Sequence, residues 1–163
     1  MISIIKHRTA PTQLLALKAL EQRLPLNHPK RNKVENDLIK QEAGFAGERS
    51  INYYLAFLPK VMHYRLFHDL RLKDRHYFQM DTLMMTTNYI VLLEINHNTG
   101  HDELHAMGQL KRYYQNQTKT FPNPLEQVYR QQVQLENILS SNGSRQYLFI
   151  VMSFSLHRPS TLT

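Results

Sequence analysis

The sequence predicts an α/β domain in which helices flank an antiparallel sheet, and three observations carry that expectation. Residues 60–96 hold three successive runs rich in β-branched, aromatic and apolar residues, KVMHYRLFHDLRL, FQMDTLMM and YIVLLEIN, joined by short turns. Strands so close in sequence imply an antiparallel meander, because a parallel crossover needs a dozen or more connecting residues. Helix-forming stretches precede and follow this block. Hydrophobic residues make up 42 % of a 163-residue chain, enough for one domain with a sizeable core.

At the N-terminal end, residues 12–24 (TQLLALKALEQRL) are strong helix formers, started by Pro11-Thr12 and stopped before Pro25. A second helical stretch follows Pro29, with Lys30, Arg31, Lys33 and Lys40 interleaved with Glu35, Asp37 and Glu42. Such interleaving marks a solvated face, with DNA contact as the alternative where positive charge clusters. The two stretches predict a helical hairpin over residues 1–42. A further helix is expected from Gly44-Phe45-Ala46-Gly47-Glu48 onward. There Glu48, Ile51 and Leu55 share a stripe at i, i+3 and i+7. Glu48 therefore points where the apolar residues point, and a carboxylate there needs a partner or a metal. Alternatively it complements the helix dipole and faces water.

The organising stretch is Phe78 to Asn96. Thr87-Asn88 reads as the centre of a tight hairpin turn, which sets Asp81 opposite Glu94 and Gln79 opposite Asn96. Strict alternation then puts Asp81, Leu83, Met85, Ile90, Leu92, Glu94 and Asn96 on one face. Facing carboxylates repel by up to about 1 kcal/mol, so a hard divalent cation between them is one expectation. The alternative is an accidental pairing at a solvated sheet end.

Beyond Asn96 the chain turns polar. His101 and His105 in HDELH are expected as loop histidines, since the zinc-protease pattern needs Glu directly after the first His. Asn123-Pro124-Leu125-Glu126 is a helix start, with an N-cap, Pro at the first helical position and an acidic third residue. The helix is expected to run to about Leu139, with Leu125, Val128, Leu135 and Leu139 apolar and Gln127 and Gln131 on another face. Tyr147 to Met152 reads as a buried strand and residues 154–163 as a loose tail.

The net charge of +7 favours a polyanionic partner, nucleic acid or an anionic membrane surface. Cysteine is absent, which excludes disulfides and thiolate metal sites. The N-terminus lacks the apolar core of a signal peptide, and the longest apolar run, Tyr147 to Phe154, is too short to span a bilayer. A soluble, cytoplasmic protein without a membrane role is the expectation.

The order helix with Glu48, strand, strand with Asp81, strand with Glu94, helix with Gln127, strand resembles the nuclease-related domain (NERD), a branch of the PD-(D/E)xK nuclease superfamily. The matching pieces are Gly44-x-x-Gly47-Glu48, His68-Asp69-Leu70, Gln79-Met80-Asp81, Glu94-x-Asn96, Gly100 and Asn123-Pro124-x-x-Gln127. They span about Gly44 to Met152. The resemblance implies a restriction-endonuclease-like α+β core over residues 43–153: a mixed sheet of about four strands flanked by helices, with the N-terminal hairpin outside it. It implies that Glu48, Asp81 and Glu94 hold a divalent ion, Mg²⁺ or Mn²⁺, for phosphodiester hydrolysis in DNA. It implies that Gln127 orients phosphate or water. The family's Lys two residues after Glu94 is replaced by Asn96, which carries no charge and cannot act as a general base. Lys111 is a candidate substitute. Family members usually continue past the end of this chain, so a truncated product is a further expectation. The alternative to an active nuclease is therefore an impaired nuclease-like module that binds nucleic acid or mediates interaction.

Overall fold

The computed structural model describes residues 2–59, 61–98, 101–104, 109–114, 117–144 and 146–157. The side chains of residues 96–98, 101, 102, 104, 114 and 155–157 lie outside that description. The chain divides into two compact units, residues 8–57 and residues 1–7 with 58–163.

The smaller unit is the expected helical hairpin, α1 (Thr12–Arg23) and α2 (Arg31–Leu55). Leu14 and Val34 are buried in it. Arg31 clamps the connection: its guanidinium donates to the Leu24 carbonyl (2.7 Å), Glu21 Oε1 (3.0 Å) and Glu35 Oε1 (2.7 Å). A residue read from sequence as part of a solvated basic face thus ties both helices to their turn. One difference from expectation is length. Gly44 and Gly47 do not separate two helices; α2 runs unbroken through both. Glycine in a helix interior costs about 1 kcal/mol relative to alanine, a penalty that tertiary contacts override.

The larger unit is built on a mixed five-stranded sheet in the order β1 (Ile2–Lys6), β2 (Tyr64–Lys73), β3 (Tyr77–Met85), β4 (Tyr89–Asn98), β8 (Leu148–His157). The meander β2–β3–β4 is antiparallel, and β1 and β8 join its edges in parallel. Between β4 and β8 come β5 (His101–Leu104), β6 (Leu110–Tyr114) and β7 (Gln117–Phe121), an antiparallel sheet of their own, and then α3 (Pro124–Ser141). This is the expected α+β layout, with one more strand in the main sheet because residues 2–6 pair with β2. Among the described residues no helix is long and apolar enough to cross a membrane.

The β3–β4 register is the one that the two-residue turn predicts. Thr82 pairs with Leu93, Leu83 with Leu92, Met84 with Val91 and Met85 with Ile90. Thr86 closes the turn: its amide donates to the Tyr89 carbonyl (2.9 Å), and its Oγ1 accepts from the amides of Asn88 (3.2 Å) and Tyr89 (3.0 Å). Ile90, Val91, Leu92, Leu93 and Ile95 are all buried, as in a strand covered on both faces. One face packs on α3, where Leu83, Ile90 and Leu92 meet Val128 and Leu135 in the core.

Three further expectations need correction. Alternation along β3 is broken, because Phe78 and Met80 join the same core cluster as Leu83. At the same level of the neighbouring strand β2, Asp69 takes a left-handed backbone (φ 49°) and is missing from the ladder between His68–Thr82 and Leu70–Met80. Lys6 holds this break by donating to the carbonyls of His68 and Asp69, both at 2.8 Å. Second, β8 extends to His157 and pairs with β4 along its length, so residues 154–157 are strand, not tail. As an edge strand it leaves Leu148, Met152 and Phe154 exposed rather than buried. Third, His101, expected in a loop, lies in a strand. His101 opens β5, while His105 lies outside the described residues.

Candidate active site

The site grows from the end of the central hairpin. Pairing between β3 and β4 stops at Thr82–Leu93, and the next residues along are Asp81 and Glu94. Asp81 turns its carboxylate towards β4, where Oδ2 accepts the Ile95 amide proton at 3.0 Å. The side chain thereby takes the place of the backbone carbonyl that would have continued the ladder. An amide donor to a carboxylate fixes its orientation.

Glu94 is buried, 6 % exposed. Its two oxygens are held from α3. Gln127 Nε2 donates to Oε1, and Gln131 Nε2 donates to Oε2 at 3.2 Å and to the Gln79 carbonyl at 2.9 Å. Helix α3 is placed to do this by its start. Asn123 Oδ1 accepts the Leu125 amide proton at 2.9 Å, and Pro124 opens the helix. Val128, Gln131 and Leu135 then follow at i, i+3 and i+7 as its buried stripe. Here sequence reasoning placed two residues wrongly. Leu125 is 46 % exposed, and Gln131 belongs to the buried stripe rather than to another face. The available signal was the spacing: Gln131 lies one turn beyond Gln127, so both amides reach one carboxylate.

The remaining expected residues are distributed as follows. Asn96 sits on β4, in register with Ser155 of β8, and its side chain lies outside the described residues. Lys111 is on β6, between Glu103 of β5 and Thr120 of β7 in register. Glu48 belongs to the 8–57 unit, where its Oε2 pairs with Arg8 Nη1 at 2.7 Å, and the Arg8 side chain is only 4 % exposed. Among the described residues no three His, Asp or Glu side chains are grouped to hold a metal ion. The donors that Asp81 and Glu94 offer are hard carboxylate oxygens. Magnesium and manganese sites take such ligands, and one or two protein carboxylates completed by water and substrate phosphate suffice. In donor chemistry the two residues suit such an ion.

Beyond the Asp69 break, the β2–β3 arm carries an exposed basic and aromatic strip. Arg71 pairs in register with Gln79 and Lys73 with Tyr77. The Arg71 guanidinium stands 4.7 Å and the Lys73 ammonium 5.5 Å from the centre of the Tyr77 ring. Such stacking fixes cations while leaving them accessible to an anion.

The site thus sits in an α+β domain, on a mixed sheet whose central hairpin ends in two carboxylates, one gripped by a glutamine-bearing helix. The family model for the nuclease-related domain matches residues 43–155. The chain belongs to that family. No curated protein and no solved structure matches it.

Proposed function

We propose that the domain is a divalent-metal-dependent nuclease acting on phosphodiester bonds of DNA, with Asp81 and Glu94 as the cation ligands. The observation that carries this reading is the buried Glu94 carboxylate, oriented by Gln127 and Gln131 beside the point where Asp81 caps the Ile95 amide. Membership of the nuclease-related family supports it. The +7 charge and the Arg71–Lys73–Tyr77 strip suit a polyanion.

A bound divalent cation would polarise the scissile phosphate and lower the pKa of an attacking water. The chain's own contribution is positional. Gln131 is buried and fixes one Glu94 oxygen. Gln127 is exposed, so its amide holds the other oxygen while its carbonyl oxygen remains at the surface to orient a water or a hydroxyl.

A second reading has its own observation, Asn96 in place of the family Lys. Without that ammonium the domain binds nucleic acid and cleaves it poorly or not at all. Supercoiled plasmid and circular single-stranded DNA, each incubated with Mg²⁺, Mn²⁺ or EDTA, decide between them. The nuclease reading predicts metal-dependent nicking that Asp81→Ala abolishes. Binding without nicking in any metal favours the impaired module.

A further inference from the structure

We propose that the surface of α3 around Tyr129 and Arg130 is a docking ridge for single-stranded nucleic acid. This rests on the nuclease reading and adds the strandedness of the substrate to it. A cleft of about 550 Å³ is lined by Phe78 and Gln79 of β3 and, from α3, by Gln127, Arg130, Gln131 and Tyr129 among others. Gln127 and Gln131 are the residues whose amides hold Glu94, so the cleft opens onto the support of the candidate site. A second cleft, of about 470 Å³, runs along Asn123, Leu125 and Glu126. Tyr129 and Arg130 line both clefts and form the ridge between them.

Tyr129 is 61 % exposed, and a lone exposed tyrosine is ordinary on a protein surface. What distinguishes this one is its company. An aromatic ring with clefts on both sides, a guanidinium next to it and the side-chain amides of Gln79 and Gln134 in the wall of the first cleft is the chemistry that binds unpaired nucleotides. Bases stack on the ring, amides meet base edges, and the guanidinium neutralises phosphate. A duplex keeps its base faces inside the stack and cannot use such a ring. Glu126 in the second cleft repels phosphate, so the backbone is directed through the first cleft, towards Gln127 and Glu94.

The test is fluorescence polarisation with labelled oligothymidylate, oligouridylate and a duplex of matched length, in EDTA so that nothing is cleaved. Tyr129→Ala should weaken binding of single strands by about 5- to 150-fold, the range for loss of one aromatic stack. Tyr129→Phe should retain it. Arg130→Gln should weaken binding and lower the dependence on salt by about one unit of slope. Comparing the thymidylate and uridylate probes shows whether DNA or RNA is the better ligand. Wild-type affinity for single strands in Tyr129→Ala, or a wild-type preference for duplex, overturns the inference alone. Wild-type protein that binds no nucleic acid overturns the inference, and the nuclease reading falls with it only if metal-dependent nicking is absent as well.

Discussion

Replacing Gln131 with methionine isolates the support of Glu94 from its chemistry. Methionine is similar in length and apolar, so it fills the same space without a donor. Gln131 is 5 % exposed and its Nε2 serves two acceptors, the Gln79 carbonyl at 2.9 Å and Glu94 Oε2 at 3.2 Å. A hydrogen bond between neutral groups contributes about 0.5–1.5 kcal/mol and one to a charged group about 1.5–3 kcal/mol. Together these place the cost of Gln131→Met at about 2–4.5 kcal/mol. Urea denaturation, followed by circular dichroism, should show the midpoint falling with an unchanged slope. The double variant Glu94→Leu/Gln131→Met should cost less than the two single variants added together, by about 0.5–3 kcal/mol, because it removes donor and acceptor at once. A Gln131→Met protein within about 0.5 kcal/mol of wild type, the range of ordinary surface substitutions, would refute the reasoning that this amide bears the buried carboxylate.

Three further outcomes follow from the same geometry. Asn96→Lys restores the family's ammonium and should raise plasmid cleavage by about 10²–10⁴-fold with little change in DNA affinity, measured by nicking rate and by filter binding. Equal rates in wild type and variant would mean that another group supplies the amine, and Lys111→Ala is then the variant to assay. Ile90→Ala empties a fully buried position in the α3 core and should cost about 2–5 kcal/mol in urea melts, without loss of metal binding in the folded protein. The Tyr64 phenol is raised above its ordinary 10.0 by burial, with the neighbouring Tyr89 adding to the shift. The folded state therefore holds this proton longer than the unfolded chain does. Its contribution is complete below about pH 10 and is lost as the pH climbs through the raised value, so Tyr64→Phe should flatten the alkaline fall in stability.

The central hairpin was legible because a turn pair and two apolar runs fixed its register together, and the Thr82–Leu93 to Met85–Ile90 ladder follows it. Helix α3 was legible from Asn123 and Pro124, whose chemistry is local. What failed was non-local. Strand β1 exists because residues 2–6 pair with residues 64–67, and nothing in ISIIK announces that partner. Strands β5 to β7 lack an alternating apolar face, and β7 is exposed along most of its length, so hydrophobic periodicity could not reveal them. Gln131 looked like surface because amide side chains usually are. Its burial makes sense only once Glu94 and the Gln79 carbonyl stand opposite. Arg8 lies forty residues from Glu48 in sequence, beyond the reach of any spacing rule.

The account turns on Asp81 and Glu94 sharing a divalent cation. Titration of Mn²⁺ into the protein, read by the loss of the free-ion electron paramagnetic resonance signal, measures this without requiring turnover. Wild type should take up Mn²⁺ at a site that Mg²⁺ competes for, and both Asp81→Ala and Glu94→Gln should lose it while remaining folded. Uptake of Mn²⁺ that is the same in wild type and in both variants would contradict the account.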